Sequence, residues 1–530
     1  VHVGFIAIAA KLMGIGDLVA EPRFNGGGAP ATLEDDAELR DVLTNVIAGK
    51  PLADWVEAFE AADVPFAPAR QTEAGMSDPQ VIHNEMVATL DDPKVGPVVQ
   101  MGVPLTFSET PGQVKGPRAQ AADGGAALDA IKPSSPAQGA PDPLPLDGIR
   151  ILEITNLIAG PTGGRLLADL GADVIKFEPL GGDLSRPIGR TYFYNLNFNK
   201  RSVSVNTSTD DGKEIVQRIA ASSDALLANL RPGATERMGI SPANNPQLIE
   251  THLTGYGRTG PYAHRPGIDP LAQAMMGMSW AQGGPENQPV FPAQLAPTDY
   301  TTGALGALGT VLAIYARSRH GTVQRVDSNL LNGAVLLSSA WFSSYKGRPV
   351  RPLADKDQYG LNPFHRLFRL ADGWIYVAAD TEAQRRALCG VAGQAEQSDA
   401  GSDGGGLHPN QTPLAEALAA AFAKSGLAEL RAKLREAGIP SAEAQSGDSE
   451  LYLDDPHTLA NGMAATVQHP TAGALSVACQ YIHLGNTRPC AWRPTPLLGE
   501  NTDEALREVG YTEADIKALH EAGIVKAETA

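Results

Sequence analysis

The chain has 530 residues, 43% hydrophobic and 19% charged, and its 42 Lys plus Arg against 60 Asp plus Glu leave a formal net charge of −18. That length suits three or four domains of roughly 150 residues, each able to bury a core, and the composition excludes a disordered chain or a disulfide-stapled miniprotein. An acidic chain lacks the basic face that nucleic acid needs, so anionic ligands must be met by local cations or helix N-termini.

Three cysteines, Cys389, Cys479 and Cys490, with no CxxC spacing, point to a reducing, cytoplasmic compartment and to neither a disulfide framework nor a zinc site. No uncharged apolar run approaches the roughly 18 residues of a membrane span, so a soluble protein with no membrane partner is expected. The start, Val1 to Ile6, has no basic n-region, no small-residue cleavage site and no initiator Met, and is not read as a signal peptide.

The first segment recurs later in the chain. Leu52-Ala53-Asp54-Trp55 and Ala62-Asp63-Val64-Pro65 return 375 residues on as Leu427-Ala428-Glu429-Leu430 and Ala437-Gly438-Ile439-Pro440. Asp78-Pro79, Met86, Pro93 and Gly96 return at an offset of 377 as Asp455-Pro456, Met463, Pro470 and Gly473. Residues 1–118 are therefore read as a second copy of about 375–494. Val1-His2-Val3 aligns with the strand-like Ile375-Tyr376-Val377, so the first copy is expected to begin in mid-strand and to be truncated at its N-terminus.

Residues 119–145, rich in Pro, Ala, Gly and Ser, have no face to bury and read as a linker. A cut there, removing residues 1–140, is expected to leave the remainder foldable. Residues 146–351 are unrepeated. There Ile149–Ile154 reads as a buried strand, Gly163–Leu170 as a helix and Ala172–Phe177 as the next strand, which implies a parallel α/β sheet. Residues 352–494 form the small domain of the second copy, interrupted by a glycine-rich loop at 397–411, and 495–530 return to the large domain.

The turn after the first strand, Ala159-Gly160-Pro161-Thr162-Gly163-Gly164, with Glu178 closing the second strand, partly matches a dinucleotide fingerprint. Thr162 stands where that fingerprint needs glycine and Pro161 removes a backbone donor, so a helix N-terminus packed closely on the sheet is the better reading.

Several motifs then converge. Leu146-Asp147-Gly148-Ile149-Arg150-Ile151-Leu152-Glu153, Gly171 to Glu178, Asn199-Lys200-Arg201-Ser202, Arg231 to Gly239, Gly255 to Tyr262 and Arg265 to Asp269 resemble, in order, the family III CoA-transferases, the group named for carnitine and bile-acid CoA-transferases. The likeness covers Leu146 to about Lys526 as one complete unit, and residues 1–118 resemble the small C-terminal part of another. It implies a Rossmann-like parallel α/β large domain with a small α+β domain, and an acyl-CoA:carboxylate CoA-transferase whose substrates are an acyl-CoA and a free carboxylic acid. Neither a metal nor a tightly bound cofactor is implied; coenzyme A enters as substrate. Family members form interlocked dimers, so an interlocked homodimer or an intramolecular pseudo-dimer is expected.

The resemblance makes Asp299, in Pro297-Thr298-Asp299-Tyr300, the covalent nucleophile. Its place just ahead of an apolar helical run agrees, since a helix N-terminus favours an ionised carboxylate, although a mere N-cap would look the same. Gly303, Gly306 and Gly309 strip side chains from one face of that helix. For CoA the resemblance implies Ile158 and Ala159 after the first strand, Val205 near the adenine, Asn229, Leu230, Arg237 toward phosphate, and Gly255, Tyr256 and Gly257 near the pantetheine arm. Some members carry a basic residue or phenylalanine at the position of Leu230, and a basic residue where Pro179 stands, so phosphate contacts are expected to be distributed differently here.

The family also holds 2-methylacyl-CoA racemases, which use histidine in a Gly-His-Asp motif. Here it reads Gly267-Ile268-Asp269, and isoleucine cannot move a proton. His264 reads as a surface histidine, and His252 and His365 as structural. The alternatives are thus a racemase-like enzyme, or a CoA-binding remnant without turnover.

Overall fold

Short apolar strands separated by helices at this spacing should form a sheet covered on both faces, and the alternation of side chains along each strand shows that they do. The computed structural model describes residues 3–27, 30–117, 144–188, 190–284, 289–291, 295–395, 408–445, 452–479, 482–484 and 492–528. The predicted linker, apart from its last two residues, and Cys490 lie outside them.

In chain order the strands are β1 (Val87–Asp92), β2 (Gly96–Met101), β3 (Thr106–Phe107), β4 (Arg150–Ile154), β5 (Asp173–Glu178), β6 (Arg201–Val205), β7 (Ala225–Ala228), β8 (Ile249–Thr254), β9 (Arg325–Asn329) and β10 (Ser343–Ser344). They are followed by β11 (Gly360–Asn362), β12 (His365–Arg369), β13 (Trp374–Ala378), β14 (Ser441–Glu443), β15 (Ala464–His469), β16 (Gly473–Ala478) and β17 (Val525–Lys526). The chain forms two compact units, the larger made of Val1–Met276, Ala296–Lys346 and Ala465–Ala530, the smaller of Gly277–Leu295 and Gly347–Ala464.

The larger unit is built on an eight-stranded sheet of order β17-β6-β5-β4-β7-β8-β9-β3. Strands β4 to β9 pair in parallel, while β17 and β3 close the two edges antiparallel. Ile151, Val174, Leu227, Ile249 and Val326 face one core with helix Ala159–Asp169 and the long helix Pro297–His320. Their neighbours Leu152, Ile175, Val203 and Leu226 face the other, covered by Ile215, Val216 and Ile219 of helix Asp210–Ala221 and by Leu506, Ile516 and Leu519 near the C-terminus. The smaller unit is α+β: an antiparallel sheet β11-β12-β13-β14 packed through Phe368, Ile375 and Val377 on Leu388, Leu418, Phe422, Leu430 and Leu434. Among the described residues no helix is long and apolar enough to cross a membrane.

The repeated segments fold alike. Helix Leu52–Ala61 recurs as Leu427–Glu436, and the β1–β2 hairpin recurs residue for residue, 377 positions on, as β15–β16. Asp78 caps helix Pro79–His83 through the N–H groups of Gln80 and Val81, and Asp455 caps Pro456–Ala460 through those of His457 and Thr458. One expectation fails: Val3–Leu12 is a helix and not the middle of a strand, because Ala10 buries its face with Ile15 and Val19 against Leu39, Val42, Leu43 and Val46.

The surroundings of the two hairpins differ. β2 takes β10 as a third strand, and β3 lies on β9, covering an edge that would otherwise expose unpaired backbone groups. Val81, Met86, Leu105 and Phe107 belong to the same core as Ile151 and Val326. The expectation that residues 1–140 are dispensable is corrected by this shared core: removing them would strip a sheet edge and open apolar surface. Met86 is fully buried, so Met86→Ala should destabilise the larger unit by about 2–5 kcal/mol. Denaturant unfolding followed by circular dichroism measures this, and a chain beginning at residue 141 should not give a stable monomer.

Candidate active site

The site grows from the C-terminal end of β4. Glu153, Lys176 and Lys200 are all fully enclosed there, and each has a reason to be. Lys176 Nζ meets Glu153 (3.3 Å) and Asp183 (2.8 Å) and donates to the Thr155 carbonyl (3.0 Å). Lys200 Nζ meets Glu153 (2.8 Å) and donates to the carbonyl of Pro161 (2.9 Å). Two ammonium groups and two carboxylates thereby balance in a fully buried site and hold both ends of the turn at 155–161. Burial, helped by the neighbouring Lys176 charge, pushes Lys200 down to about 8 against the pull of Glu153. Glu178, which the dinucleotide fingerprint would turn toward a ribose, is buried; Arg186 Nη2 (2.6 Å) and Ser202 Oγ (2.6 Å) donate to it.

Strand order reverses between β4 and β7, where an open parallel sheet leaves a crevice at its carboxyl edge. Asn229, just past β7, bridges that crevice: its Oδ1 accepts from Asn156 N (2.9 Å) and its Nδ2 donates to Asn156 O (2.7 Å). Ile158 and Ala159 lead into helix Ala159–Asp169 beside it, after a left-handed Leu157 (φ 66°), and Leu230 continues on the β7 side. The structure thus gathers Ile158, Ala159, Asn229 and Leu230 at one switch point, with Gly255, Tyr256 and Gly257 at the end of adjacent β8. Arg237 ends the short helix Ala234–Arg237 and is exposed. Val205 lies apart from them, at the end of β6, with its side chain fully buried in the core that includes Val525.

Glycines decide how closely the helices meet. A Cβ on Gly303 would lie 2.5 Å from the Ala159 carbonyl oxygen, and one on Gly163 would lie 3.0 Å from the Gly303 carbonyl oxygen. Here the long helix crosses Ala159–Asp169 backbone to backbone, one turn after Asp299. Cβ atoms on Gly306 and Gly309 would similarly strike Leu253 and Val326. Gly160, Gly163 and Gly164 therefore serve close packing, as the sequence reading preferred.

Asp299 is in the first turn of the long helix but is not its cap. Asp269, thirty residues earlier, does the capping: its Oδ1 accepts from Thr298 N (2.8 Å), Thr298 Oγ1 and Asp299 N (3.4 Å). Gln273 Nε2 donates to its other oxygen. The expectation that the helix end keeps Asp299 ionised is corrected by this arrangement. Burial, and then the Asp269 charge, push Asp299 up to about 7, because the favourable end of the dipole is already occupied. Sequence reading quoted Asp269 within Gly267-Ile268-Asp269 but assigned it no role, since the contact that matters is long-range. Ile268 and His264 are both exposed.

Gly255 and Gly267 touch in the same way as the helices. A Cβ on Gly255 would lie 2.6 Å from the Gly267 Cα. The loop after β8 is thus pressed against the segment that carries Asp269. Leu331 N donates to the Gly255 carbonyl (3.1 Å), Thr254 Oγ1 accepts from Gly257 N (2.9 Å), and Gly257 takes a left-handed φ of 113°.

The chain resembles one group of known proteins. The family model for CoA-transferase family III matches residues 3–120 and again 146–502. The chain is 32% identical over 398 residues to mouse (Mus musculus) succinyl-CoA:glutarate CoA-transferase, covering 72% of this chain and 90% of that one. It is 31% identical over 435 residues to formyl-CoA:oxalate CoA-transferase of Rhodopseudomonas palustris, with 71% and 96% covered. The crystal structure of Rv3272 from Mycobacterium tuberculosis superposes with a TM-score of 0.58 at 28% identity, over 69% of this chain and all (100%) of that one. A CaiB/BaiF family protein from Brucella suis gives a TM-score of 0.59 at 25% identity, over 69% and 100%. With the family model matched across most of its length, the chain belongs to family III of the CoA-transferases.

Proposed function

We propose that the protein moves CoA from an acyl-CoA to a free carboxylate through covalent intermediates on Asp299. The carboxylate oxygen attacks the thioester carbonyl, the C–S bond breaks, and an acyl-aspartyl anhydride forms as CoA thiolate leaves. The thiolate then attacks the aspartyl carbonyl, which releases the donor acid and leaves an aspartyl-CoA thioester. The acceptor carboxylate repeats the exchange in reverse and regenerates Asp299. Splitting one difficult displacement into exchanges of comparable energy is the advantage of a covalent route. The observation that carries this reading is a part-buried carboxylate at the helix crossing, beside the switch point, with which no cation pairs among the described residues. Ile158, Ala159, Asn229, Leu230, Gly255, Tyr256 and Gly257 would line the CoA path, with Arg237 reaching phosphate as a charge-assisted donor.

Names of the relatives suggest succinyl-CoA and formyl-CoA as first donors to try. With either donor active, Asp299→Asn should abolish transfer and leave the melting temperature unchanged, and mass spectrometry of the parent should find the adduct on Asp299. Transfer within tenfold of the parent in the Asn variant would remove Asp299 from the mechanism.

The raised pKa gives a pH dependence with a definite sign. Asp299 must be ionised to attack, so kcat/KM should rise with pH through about 7 and level off above it. Asp269→Asn keeps an oxygen to cap Thr298 N, while Gln273 Oε1, which has no hydrogen-bond partner, can turn to accept from the new amide. Removing the Asp269 charge should lower the Asp299 pKa and move the acid limb to lower pH. A limb that stays in place would show that burial alone sets it.

A racemase would need an acid and a base flanking the α-carbon. Ile268 offers neither. A 2-methylacyl-CoA incubated in heavy water without an acceptor acid should therefore gain negligible α-deuterium; rapid exchange would overturn the transferase reading.

A further inference from the structure

We propose that Gln80 and Asn84, carried by the N-terminal segment, are positioning residues that set the Gly255–Gly260 loop for the pantetheine arm of CoA, so that residues 30–117 help build the substrate site in cis. The inference rests on the reading of that loop as part of the CoA path.

Gln80 is fully buried. Its Oε1 accepts from Tyr262 N (2.7 Å), which orients the amide, and its Nε2 then donates toward the carbonyls of Tyr256 (3.0 Å) and Thr259 (2.9 Å). Asn84 Nδ2 donates to the same Tyr256 carbonyl (2.8 Å) and to Asn332 Oδ1 (2.9 Å), and Asn84 Oδ1 accepts from Gln80 Nε2 (2.8 Å). His83 Nε2 lies 2.9 Å from Thr259 Oγ1. One short helix end thus holds two carbonyls of the Gly255–Gly260 loop and the N–H of Tyr262 just beyond it.

The loop also leaves room for nothing else at this place. A Cβ on Gly257 would lie 3.0 Å from Asn84 Oδ1, and one on Gly260 would lie 2.7 Å from either polar atom of the Gln80 amide. The left-handed Gly257 (φ 113°) and Gly260 (φ 94°) therefore fit against this amide pair as well as making the turn. The corresponding helix of the later copy, Pro456–Ala460, has the same Asp cap but carries His457 where the first copy has Gln80, and His457 is exposed. The Asp cap and the asparagine (Asn84, Asn461) occur in both segments, whereas the Gln80 amide belongs to the first alone.

The test uses the full chain. CoA binding is measured by calorimetry, and KM is measured separately for succinyl-CoA and for the acceptor acid. Gln80→Ala should raise the Kd for CoA and the KM for the acyl-CoA by about tenfold, with the acceptor KM and kcat changed less than about twofold. Gln80→Glu keeps the shape and the acceptor for Tyr262 N but loses both N–H donors. Its CoA affinity should be weak at pH 8 and recover toward pH 5.5, where a protonated carboxyl regains one donor; a purely structural role would show no such recovery. His457→Ala should alter neither constant. If Gln80→Ala fails to fold, the pH response of Gln80→Glu decides. Parent-like CoA affinity in both Gln80 variants would overturn the proposal while leaving the transferase reading intact. A parent chain that binds no CoA would overturn both.

Discussion

Two glycines facing each other hold the site together. Where Gly163 meets the Gly303 carbonyl and Gly303 meets that of Ala159, a Cβ would come within 3.0 Å and 2.5 Å of those oxygens, so any side chain would push the helices apart. That separation would carry Asp299, one turn away, off the turn that joins β4 to helix Ala159–Asp169. Glycine is a poor helix residue, at a cost of about 1 kcal/mol each relative to alanine. The long helix accepts three of them on one face because each admits a neighbour: Ala159, Leu253 and Val326 in turn.

Around that contact, charge is arranged in two ways. Beneath the β4 turn, Glu153, Asp183, Lys176 and Lys200 are buried together and neutralise one another, and the result is a braced turn rather than a reactive group. At the head of the long helix, by contrast, two carboxylates lie near each other, and among the described residues no cation pairs with them. Asp269 takes the backbone donors, and Asp299 is left with the burial penalty and a neighbour of the same sign. The first arrangement fixes a shape, and the second pushes the Asp299 pKa up to about 7.

The N-terminal segment joins this machinery by filling the places a neighbour would. It supplies β3 to the sheet edge, Val81, Met86, Leu105 and Phe107 to the main core, and the Gln80 amide to the loop after β8. Arg231 on the loop after β7 is paired with Asp63 of that segment, and Arg265 with Glu60. Its copy later in the chain meets other partners: the β15–β16 hairpin packs Val467 and Val477 on Phe198, and Arg165 Nη2 donates to the Ala478 carbonyl (3.1 Å). Nearly identical local folds thus end in different roles because their surroundings differ.

What was legible in the sequence was whatever depends on near neighbours. The apolar runs at Ile149–Ile154 and Ala172–Phe177 became β4 and β5 with each boundary within one residue of that expected, because runs of buried apolar residues are written locally. The repeat was legible in its prolines, glycines and caps, and the family motifs named Asp299. Helix Ala159–Asp169 was read as starting later, at Gly163, since a glycine-rich run looks like a turn until the helix that needs those glycines is in place. Only the tertiary structure decided that Asp269 caps the long helix and raises the Asp299 pKa, that Val205 faces the core, and that Gln80 braces a loop 176 residues away. Each of these rests on a contact between segments far apart in the chain, and a protonation state or a brace follows from the distance between such groups, which no local pattern of residues encodes.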